Sequence, residues 1–87
     1  MAKVEVYRRD FCGFCAAVER LLTQKGVDYT AYDIWEDSSK KDEMVKRTGG
    51  KTSVPQVFID GEHIGGCDDT MALEQKGALN VLLGLDD

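Results

Sequence analysis

Residues 3–15 read KVEVYRRDFCGFC and place an alternating stretch directly before two cysteines that are three residues apart. Val4 and Val6 fall on one side of this stretch, which is the two-residue period of a β-strand. Apolar residues then recur at helical spacing over residues 15–25, and Gly26 is a residue type that commonly ends a helix. The sequence therefore predicts a strand that runs into the CxxC motif and a helix that leaves it.

The elements expected after this helix complete a small α/β domain. Residues 29–34 (YTAYDI) indicate a second strand, so that strand, helix and strand fit a parallel βαβ unit. Residues 36–48 favour a mostly solvated helix. Two further strands at 56–59 and 62–64 flank Asp60-Gly61, the two-residue signal of a type I′ hairpin.

The C-terminal part predicts a third helix capped by Asp68 or Asp69, with a last helical turn or two near Leu79. The order is then βαβαββα. This order predicts an α/β fold with a small four-stranded mixed sheet and helices on both faces, as a single domain over residues 1–87.

Composition narrows the function classes. The chain has 87 residues, a formal net charge of −5 and a pI near 4.7, so it lacks the basic surface that binds nucleic acid. No segment approaches the roughly 18 consecutive apolar residues of a membrane span, and no signal-like apolar run follows the first residues. We therefore expect a soluble cytoplasmic monomer without a nucleic-acid or membrane partner.

The paired cysteines carry the candidate chemistry, because a close CxxC pair in a reducing compartment is more often catalytic or metal-binding than structural. At a helix N-terminus, unpaired N–H groups and the helix dipole would lower the pKa of Cys12 from about 8.5 toward roughly 3.5–7.5. Arg9 would add positive charge nearby. We predict Cys12 as the nucleophile and Cys15, one turn into the helix, as a more buried thiol that resolves a mixed disulfide.

The residues alone leave other uses of the pair open. A structural staple would remove little unfolded-chain entropy, because the loop is so short. A closed zinc site needs four ligands, and besides the pair only Cys67 and His63 remain. An iron–sulfur cluster shared by two chains, with Cys12 of each chain as an exposed ligand, stays an alternative.

Other positions admit both structural and functional interpretations. Pro55, the only proline, could begin a strand, or could form a cis peptide bond beside Cys12 that leaves the Val54 backbone free for an extended peptide. Residues 65–69 (GGCDD) could end a hairpin and cap a helix, or admit a ligand close to a helix N-terminus. We expect Cys67 itself to be a small buried apolar residue.

Three ring side chains carry expectations about burial alone. His63 follows the hairpin turn and is expected in solvent. Tyr32 and Trp35 are expected to pack in the core. None of the three is assigned a function.

Taken together, these segments resemble a glutaredoxin of the bacterial dithiol kind. CGFC at 12–15 follows an opening strand, and SVPQVFIDGEHIGGCDD occupies 53–69. CxxC alone is a weak signal, but the combination spans nearly the whole chain and is specific. The resemblance implies a thioredoxin-like fold and a glutathione-dependent thiol–disulfide oxidoreductase. It would reduce protein disulfides with both cysteines and protein–glutathione mixed disulfides with the first alone.

The resemblance also implies a glutathione site around Cys12. Arg9 or Lys51 would bind the glycine carboxylate, and the backbone before a cis proline would pair with the cysteine portion. The GGCDD segment would hold the γ-glutamyl end, and Phe14 would form a wall of the site beside Cys12. The implied binding residues are Arg9, Phe14, Lys51, Ser53, Val54, Pro55, Cys67, Asp68 and Asp69.

Two residues depart from the family's usual CPYC motif. Gly13 replaces the proline, which makes the turn less rigid, and Phe14 replaces the tyrosine and lacks its hydroxyl. Glycine at the first of these positions also occurs in relatives that assemble a glutathione-ligated [2Fe–2S] dimer, so a cluster carrier or sensor is the alternative function.

The partners implied by the resemblance are glutathione and disulfide-containing or glutathionylated proteins, with ribonucleotide reductase among them. A redoxin that serves that enzyme with electrons from thioredoxin reductase is a third interpretation. The GGCDD segment disfavours it, because that segment belongs to the glutathione-using members.

Overall fold

A computed structural model describes residues 2–85, in which four strands form one sheet. The strands are β1 (Val4–Arg8), β2 (Thr30–Asp33), β3 (Gln56–Ile59) and β4 (Glu62–Gly65). They lie in the order β2-β1-β3-β4, with β1 parallel to β2 and antiparallel to β3, and β3 antiparallel to β4. The predicted mixed sheet with a parallel βαβ unit is therefore confirmed.

The hairpin between β3 and β4 turns at the two predicted residues. Asp60 and Gly61 have φ angles of 52° and 81°. A type I′ turn requires positive φ at both central residues, and its twist matches that of the flanking strands. The sequence signal at this turn is thus confirmed in its geometry.

The helices are α1 (Gly13–Gln24), α2 (Ser38–Thr48), α3 (Cys67–Gln75) and α4 (Ala78–Leu83). Helix α1 buries Cys15, Val18 and Leu22, which share one face at helical spacing. Helix α2 buries only Met44, in agreement with the mostly solvated helix that was predicted. No helix within residues 2–85 is long and apolar enough to span a bilayer.

The central strands are buried on both sides, because helices pack against both faces of the sheet. On one face, Val4 and Val6 pack in a cluster with residues of α1 and α4. On the other face, Tyr7 and Phe58 pack with α2. The alternation that marked Val4 and Val6 identified the first face only, and β1 contributes to both cores.

A buried carboxylate fastens α2 to the sheet. Glu5 on β1 is 6% exposed and accepts two hydrogen bonds from the Arg47 guanidinium, each 3.1 Å long. The Tyr32 hydroxyl donates a third at 2.9 Å. These bonds, that of Arg47 foremost, hold the pKa of Glu5 below its ordinary value despite burial. Such a buried charge is tolerated because its partner is in place.

The C-terminal part departs from the predicted order in two respects. Gly77 has a φ of 76°, which interrupts the helical run and separates α3 from α4, so the order is βαβαββαα. The predicted cap of the third helix was also wrong, because its N-cap is Gly66. Asp69, at the third helical position, accepts the Gly66 N–H at 3.4 Å, and Asp68 lies within the first turn.

Two of the three burial expectations were wrong. Tyr32 packs against the core cluster of Tyr7, as expected. Trp35 is 60% exposed, because the Asp33 carboxylate accepts its N–H at 2.9 Å and turns the chain out of the sheet. His63 is half-buried, because it lies opposite Phe58 in the β-ladder and stacks on that ring at a centroid distance of 5.0 Å.

Candidate active site

Cys12 occupies the N-cap of α1, directly after the loop that follows β1. Its backbone is extended, with φ −123° and ψ 102°, so that Sγ turns over the first turn of the helix and accepts the Cys15 N–H at 3.1 Å. No acidic residue lies in this first turn to compete for the positive end of the helix. The predicted helix-terminal position of Cys12 is confirmed, and it favours a thiolate in the reduced protein.

The two cysteines differ in accessibility, as predicted. Cys15 is buried on the inner face of α1, whereas Cys12 is half-buried. Their Cα atoms are 5.2 Å apart and their sulfurs are paired as a disulfide. Cys12 is therefore the sulfur that an external disulfide can reach. Cys15 can act on a bound partner only by attacking the Cys12 sulfur of a mixed disulfide.

An open cleft of about 290 Å³ lies between the start of α1, residues 51–56 and the start of α3. Cys12 is not among its lining residues, but it adjoins the cleft, because the carbonyl oxygen of Val54, which does line it, is 3.9 Å from the Cys12 Sγ. All of the predicted glutathione-binding residues except Arg9 line the cleft, together with two residues that had no individually assigned role. The lining residues are Phe14, Lys51, Ser53, Val54, Pro55, Gln56, Gly66, Cys67, Asp68 and Asp69. The structure thus brings eight of the nine predicted residues together in one place, and the binding of glutathione there stays a prediction.

Arg9 lies outside the lining of this cleft. Its guanidinium carbon is 4.8 Å from the centroid of the Trp35 ring. Its Nη1 donates to the carbonyl oxygens of Asp10 at 2.9 Å and Phe11 at 3.1 Å. Of the two predicted cations, Lys51 is the one that the fold brings to the cleft.

The Val54–Pro55 peptide bond is cis, the second of the two interpretations that the sequence allowed. The Val54 carbonyl oxygen lies 3.9 Å from the Cys12 Sγ. Among residues 2–85, no acceptor takes the Val54 N–H. The peptide groups of Val54 are therefore available to pair with an extended peptide that reaches Cys12.

Gln56 is the lining residue for which the sequence predicted no role, and Gly66 was included only as part of the GGCDD segment. The Gln56 side chain donates to the Ser53 carbonyl oxygen at 3.0 Å and pairs with the His63 Nε2 at 2.7 Å. Burial, and then the charge of Lys51, lower the pKa of His63, so its neutral ring can donate to the Gln56 amide oxygen. Gln56 lies inside the quoted 53–69 segment, so a signal existed, but individual roles were assigned only to its neighbours.

Cys67 contacts both the apolar core and the cleft. It is half-buried, packs against the apolar core beneath α3 and also lines the cleft. Burial, and next the adjacent Asp68 carboxylate, raise the pKa of its thiol. Its predicted packing as a small apolar residue is therefore confirmed only in part, and it stays a thiol at neutral pH.

Gly65 sets the position of Asp69 at the rim of this cleft. Its φ is 126°, and a Cβ built on it would lie 2.7 Å from the Asp69 Cγ and overlap the carboxylate. A side chain is therefore excluded in two independent ways. Glycine at this position lets Asp69 reach back to the Gly66 N–H.

The described residues offer no metal site within one chain. In residues 2–85, no three or more histidine, cysteine, aspartate or glutamate side chains are grouped so that they could hold a metal ion. A cluster shared between two chains takes ligands from both, so that alternative stays a prediction and Cys12 its candidate ligand.

Fold and site together define a thiol–disulfide oxidoreductase of the thioredoxin-like class, with a redox-active pair at the start of the first helix. The family model described as Glutaredoxin matches residues 4–64. The chain therefore belongs to the glutaredoxin family, as its motifs predicted.

Individual relatives agree with this assignment over nearly the full chain. Glutaredoxin 3 of Escherichia coli is 47% identical over 95% of this chain and 99% of that protein. A probable glutaredoxin of Synechocystis is 46% identical over 94% of this chain and 93% of its own length.

Solved structures show the same fold. A buckwheat glutaredoxin–glutathione complex superimposes with a TM-score of 0.86 at 31% identity, over 95% of this chain and 77% of that one. A solution structure of a Brucella melitensis glutaredoxin gives 0.82 at 40% identity, over 98% and 91%. The thioredoxin-like fold predicted for this chain is confirmed.

Proposed function

We propose that this chain uses glutathione to reduce protein disulfides and protein–glutathione mixed disulfides through Cys12 and Cys15. The observation that carries the proposal is a cleft beside Cys12 lined by charges of both signs: Lys51 on the one hand, Asp68 and Asp69 on the other. Glutathione bears two carboxylates and one ammonium group around a thiol. A cleft with this charge pattern beside a reactive sulfur complements it.

The groups of the cleft suit successive parts of the tripeptide. Lys51 can pair with the glycine carboxylate, and the Val54 peptide groups can bond the cysteine portion as a short β-bridge. The N–H groups at the start of α3 suit the γ-glutamyl carboxylate, and Asp68 and Asp69 suit its ammonium group. The likeness to a buckwheat glutaredoxin–glutathione complex supports this arrangement.

Reduction of a substrate disulfide begins with attack by the Cys12 thiolate on one of its sulfurs. A mixed disulfide forms, and the other substrate sulfur leaves as a thiolate that takes a proton from water. Cys15, deprotonated as it attacks, then displaces the substrate from Cys12. The substrate leaves with two thiols, and the protein keeps the two oxidation equivalents as the Cys12–Cys15 disulfide.

Two glutathione molecules regenerate the dithiol. The thiolate of the first attacks Cys12 Sγ, which forms a glutathione mixed disulfide and frees Cys15. The second attacks the glutathione sulfur, so that glutathione disulfide leaves and Cys12 returns to the thiolate. With a glutathionylated protein, the Cys12 thiolate attacks the glutathione sulfur, and the protein sulfur leaves as a thiolate that takes a proton from water. One glutathione molecule then reduces the Cys12–glutathione disulfide as in the last step above, so this route does not need Cys15.

The test is turnover of a small glutathione mixed disulfide, followed as NADPH consumption in the presence of glutathione and glutathione reductase. We expect a rate that depends on glutathione and saturates with the mixed disulfide. Rapid reduction of the oxidised pair by thioredoxin reductase, with no reduction by glutathione, would contradict the proposal. We further propose that the chain acts as a monomer in the cytoplasm. The cytoplasmic setting is supported by its three cysteines, which lack the spacing of an exported disulfide scaffold.

A further inference from the structure

A second surface adjoins Cys12 outside the glutathione cleft. Phe11, one residue before Cys12, is 93% exposed, and Trp35 is 60% exposed. Their ring centroids are 6.5 Å apart, and the Arg9 guanidinium stacks over the Trp35 ring. We call Arg9, Phe11 and Trp35 the aromatic patch; none of them lines the cleft.

The sheet brings the two halves of the patch together. Strands β1 and β2 are parallel and end in register, with Arg8 beside Asp33, so the loops that follow them emerge at the same edge. The Asp33 carboxylate accepts the N–H of Trp35 and is itself paired with Arg8 at 2.8 Å. The turn that carries Trp35 is therefore fixed before any partner arrives.

Phe11 is held in an unfavourable state. Its φ is 56°, a left-handed conformation that is rare for a bulky residue, and its ring is almost fully in water. Two hydrogen bonds involving Arg9 fasten the loop, one of them to the Phe11 carbonyl oxygen. Neither the left-handed backbone nor the exposed ring of Phe11 stabilises the folded protein, and both occur one residue before the nucleophile.

The charge of the patch is unpaired. No carboxylate within residues 2–85 forms a salt bridge with Arg9, whereas Arg8 pairs with Asp10, Glu19 and Asp33. Among the residues that the structure describes, only Nη1 of Arg9 donates a hydrogen bond, which leaves Nε and Nη2 able to donate to a ligand. In a chain of net charge −5, this cation favours a carboxylate at this surface.

We propose that the aromatic patch binds the polypeptide of a disulfide substrate, through an apolar side chain and a carboxylate close to the substrate cysteine. The proposal rests on the proposed function, since it adds a site for the protein half of the mixed disulfide. Exposed aromatic rings with an arginine are typical of residues that dominate binding free energy at interfaces. The patch is continuous with Cys12 along the chain, and it leaves the cleft free for glutathione.

Kinetics with two substrates test the patch. One is a small glutathione mixed disulfide; the other is a tryptophan-free peptide disulfide with phenylalanine and glutamate beside its cysteine. We expect Trp35→Ala to raise KM for the peptide by about tenfold and to leave kcat/KM for the small substrate unchanged. Val81→Ala, which trims an equally exposed apolar residue on α4, should change neither. An unchanged KM for the peptide, or an equal loss with both substrates, would overturn the proposal.

Fluorescence tests the patch without any chemistry, because Trp35 is the only tryptophan. A serine analogue of the same peptide should change the Trp35 emission in a saturable way, and with lower affinity in Phe11→Ala. In Arg9→Gln, the preference for the glutamate peptide over its glutamine analogue should disappear. No change in emission would overturn the proposal, as would a concentration-dependent shift without peptide, which would assign the patch to a second copy of the chain. If the small glutathione mixed disulfide is not turned over but the peptide still changes the Trp35 emission, the proposed function is refuted and binding of the peptide at the aromatic patch is not.

Discussion

The two helices that meet at the cleft begin in opposite electrostatic states, although each has a cysteine at its start. Cys12 caps α1, whose first turn has no acidic residue. Cys67 is the first residue of α3, whose first turn contains Asp68 and Asp69. At α1 the positive end of the helix dipole acts on the Cys12 sulfur alone. At α3 the carboxylates of Asp68 and Asp69 offset the positive end of the dipole. Burial and the charge of Asp68 raise the pKa of Cys67, so a helix terminus alone does not make a reactive cysteine.

The comparison predicts its largest effect at the sulfurs themselves. Cys12→Ser should lower turnover of a glutathione mixed disulfide by at least about a thousandfold, because the nucleophile is lost. Cys15→Ser should retain much of that activity and lose reduction of protein disulfides, and Cys67→Ser should change kcat little. The coupled NADPH assay measures all three variants. Equal losses in the first two would contradict the division of labour between them.

The rim of α3 should be the next most sensitive position. Gly65→Ala places a Cβ in the Asp69 carboxylate, and we expect it to lower the free energy of unfolding by about 1–3 kcal/mol beyond the effect of φ. Gly61→Ala is the matched control, since its φ is 81° and a Cβ there meets no atom within 4 Å. Thermal unfolding separates the two. Equal destabilisation would mean that backbone conformation, not the contact with Asp69, requires the glycine.

The acidic first turn of α3 should govern affinity for glutathione rather than chemistry. Asp68→Asn should raise KM for glutathione about tenfold, the size of one charge-assisted hydrogen bond, with kcat nearly unchanged. Asp42→Asn removes the same charge from the exposed face of α2 and controls for general repulsion of an anionic substrate. A similar KM in both variants would show that Asp68 acts only through net charge.

The smallest predicted effect comes from making α1 resemble α3. Gly13→Asp adds a carboxylate to the first turn, where a Cβ meets no neighbouring atom, and should raise the pKa of the Cys12 thiol by less than about one unit. Gly13→Asn is the neutral control. Alkylation rate against pH measures the shift. No difference between the two variants would show that helix-end charges have little influence on this sulfur.

Local patterns predicted the scaffold well because each element carries its own signal. The alternation around Val4, the cap at Cys12 and the Asp60-Gly61 turn are all short-range features, and each is found where it was expected. The break at Gly77 was missed, since a glycine within a helical run stops it only in some contexts.

Long-range placement set the limits of sequence reasoning. His63 was expected in solvent, but its pairing opposite Phe58 in the sheet leaves it half-buried. Trp35 was expected in the core because tryptophan is usually buried, yet the Asp33 turn directs it outward. The family resemblance implied Arg9 or Lys51 as the ligand of the glycine carboxylate, whereas the Arg9 guanidinium lies over Trp35. Each of these three side-chain positions depends on which strands and loops the sheet brings together, and no short segment of the sequence predicts that.

The ionisation of Cys12 most directly tests whether the start of α1 makes this cysteine a nucleophile. In a Cys15→Ser, Cys67→Ser double variant, Cys12 is the only thiol, and thiolate absorbance in the ultraviolet can be followed against pH. We expect a transition below a pH of about 7.5. A transition at or above about 8.5, the value of an ordinary cysteine, would contradict it.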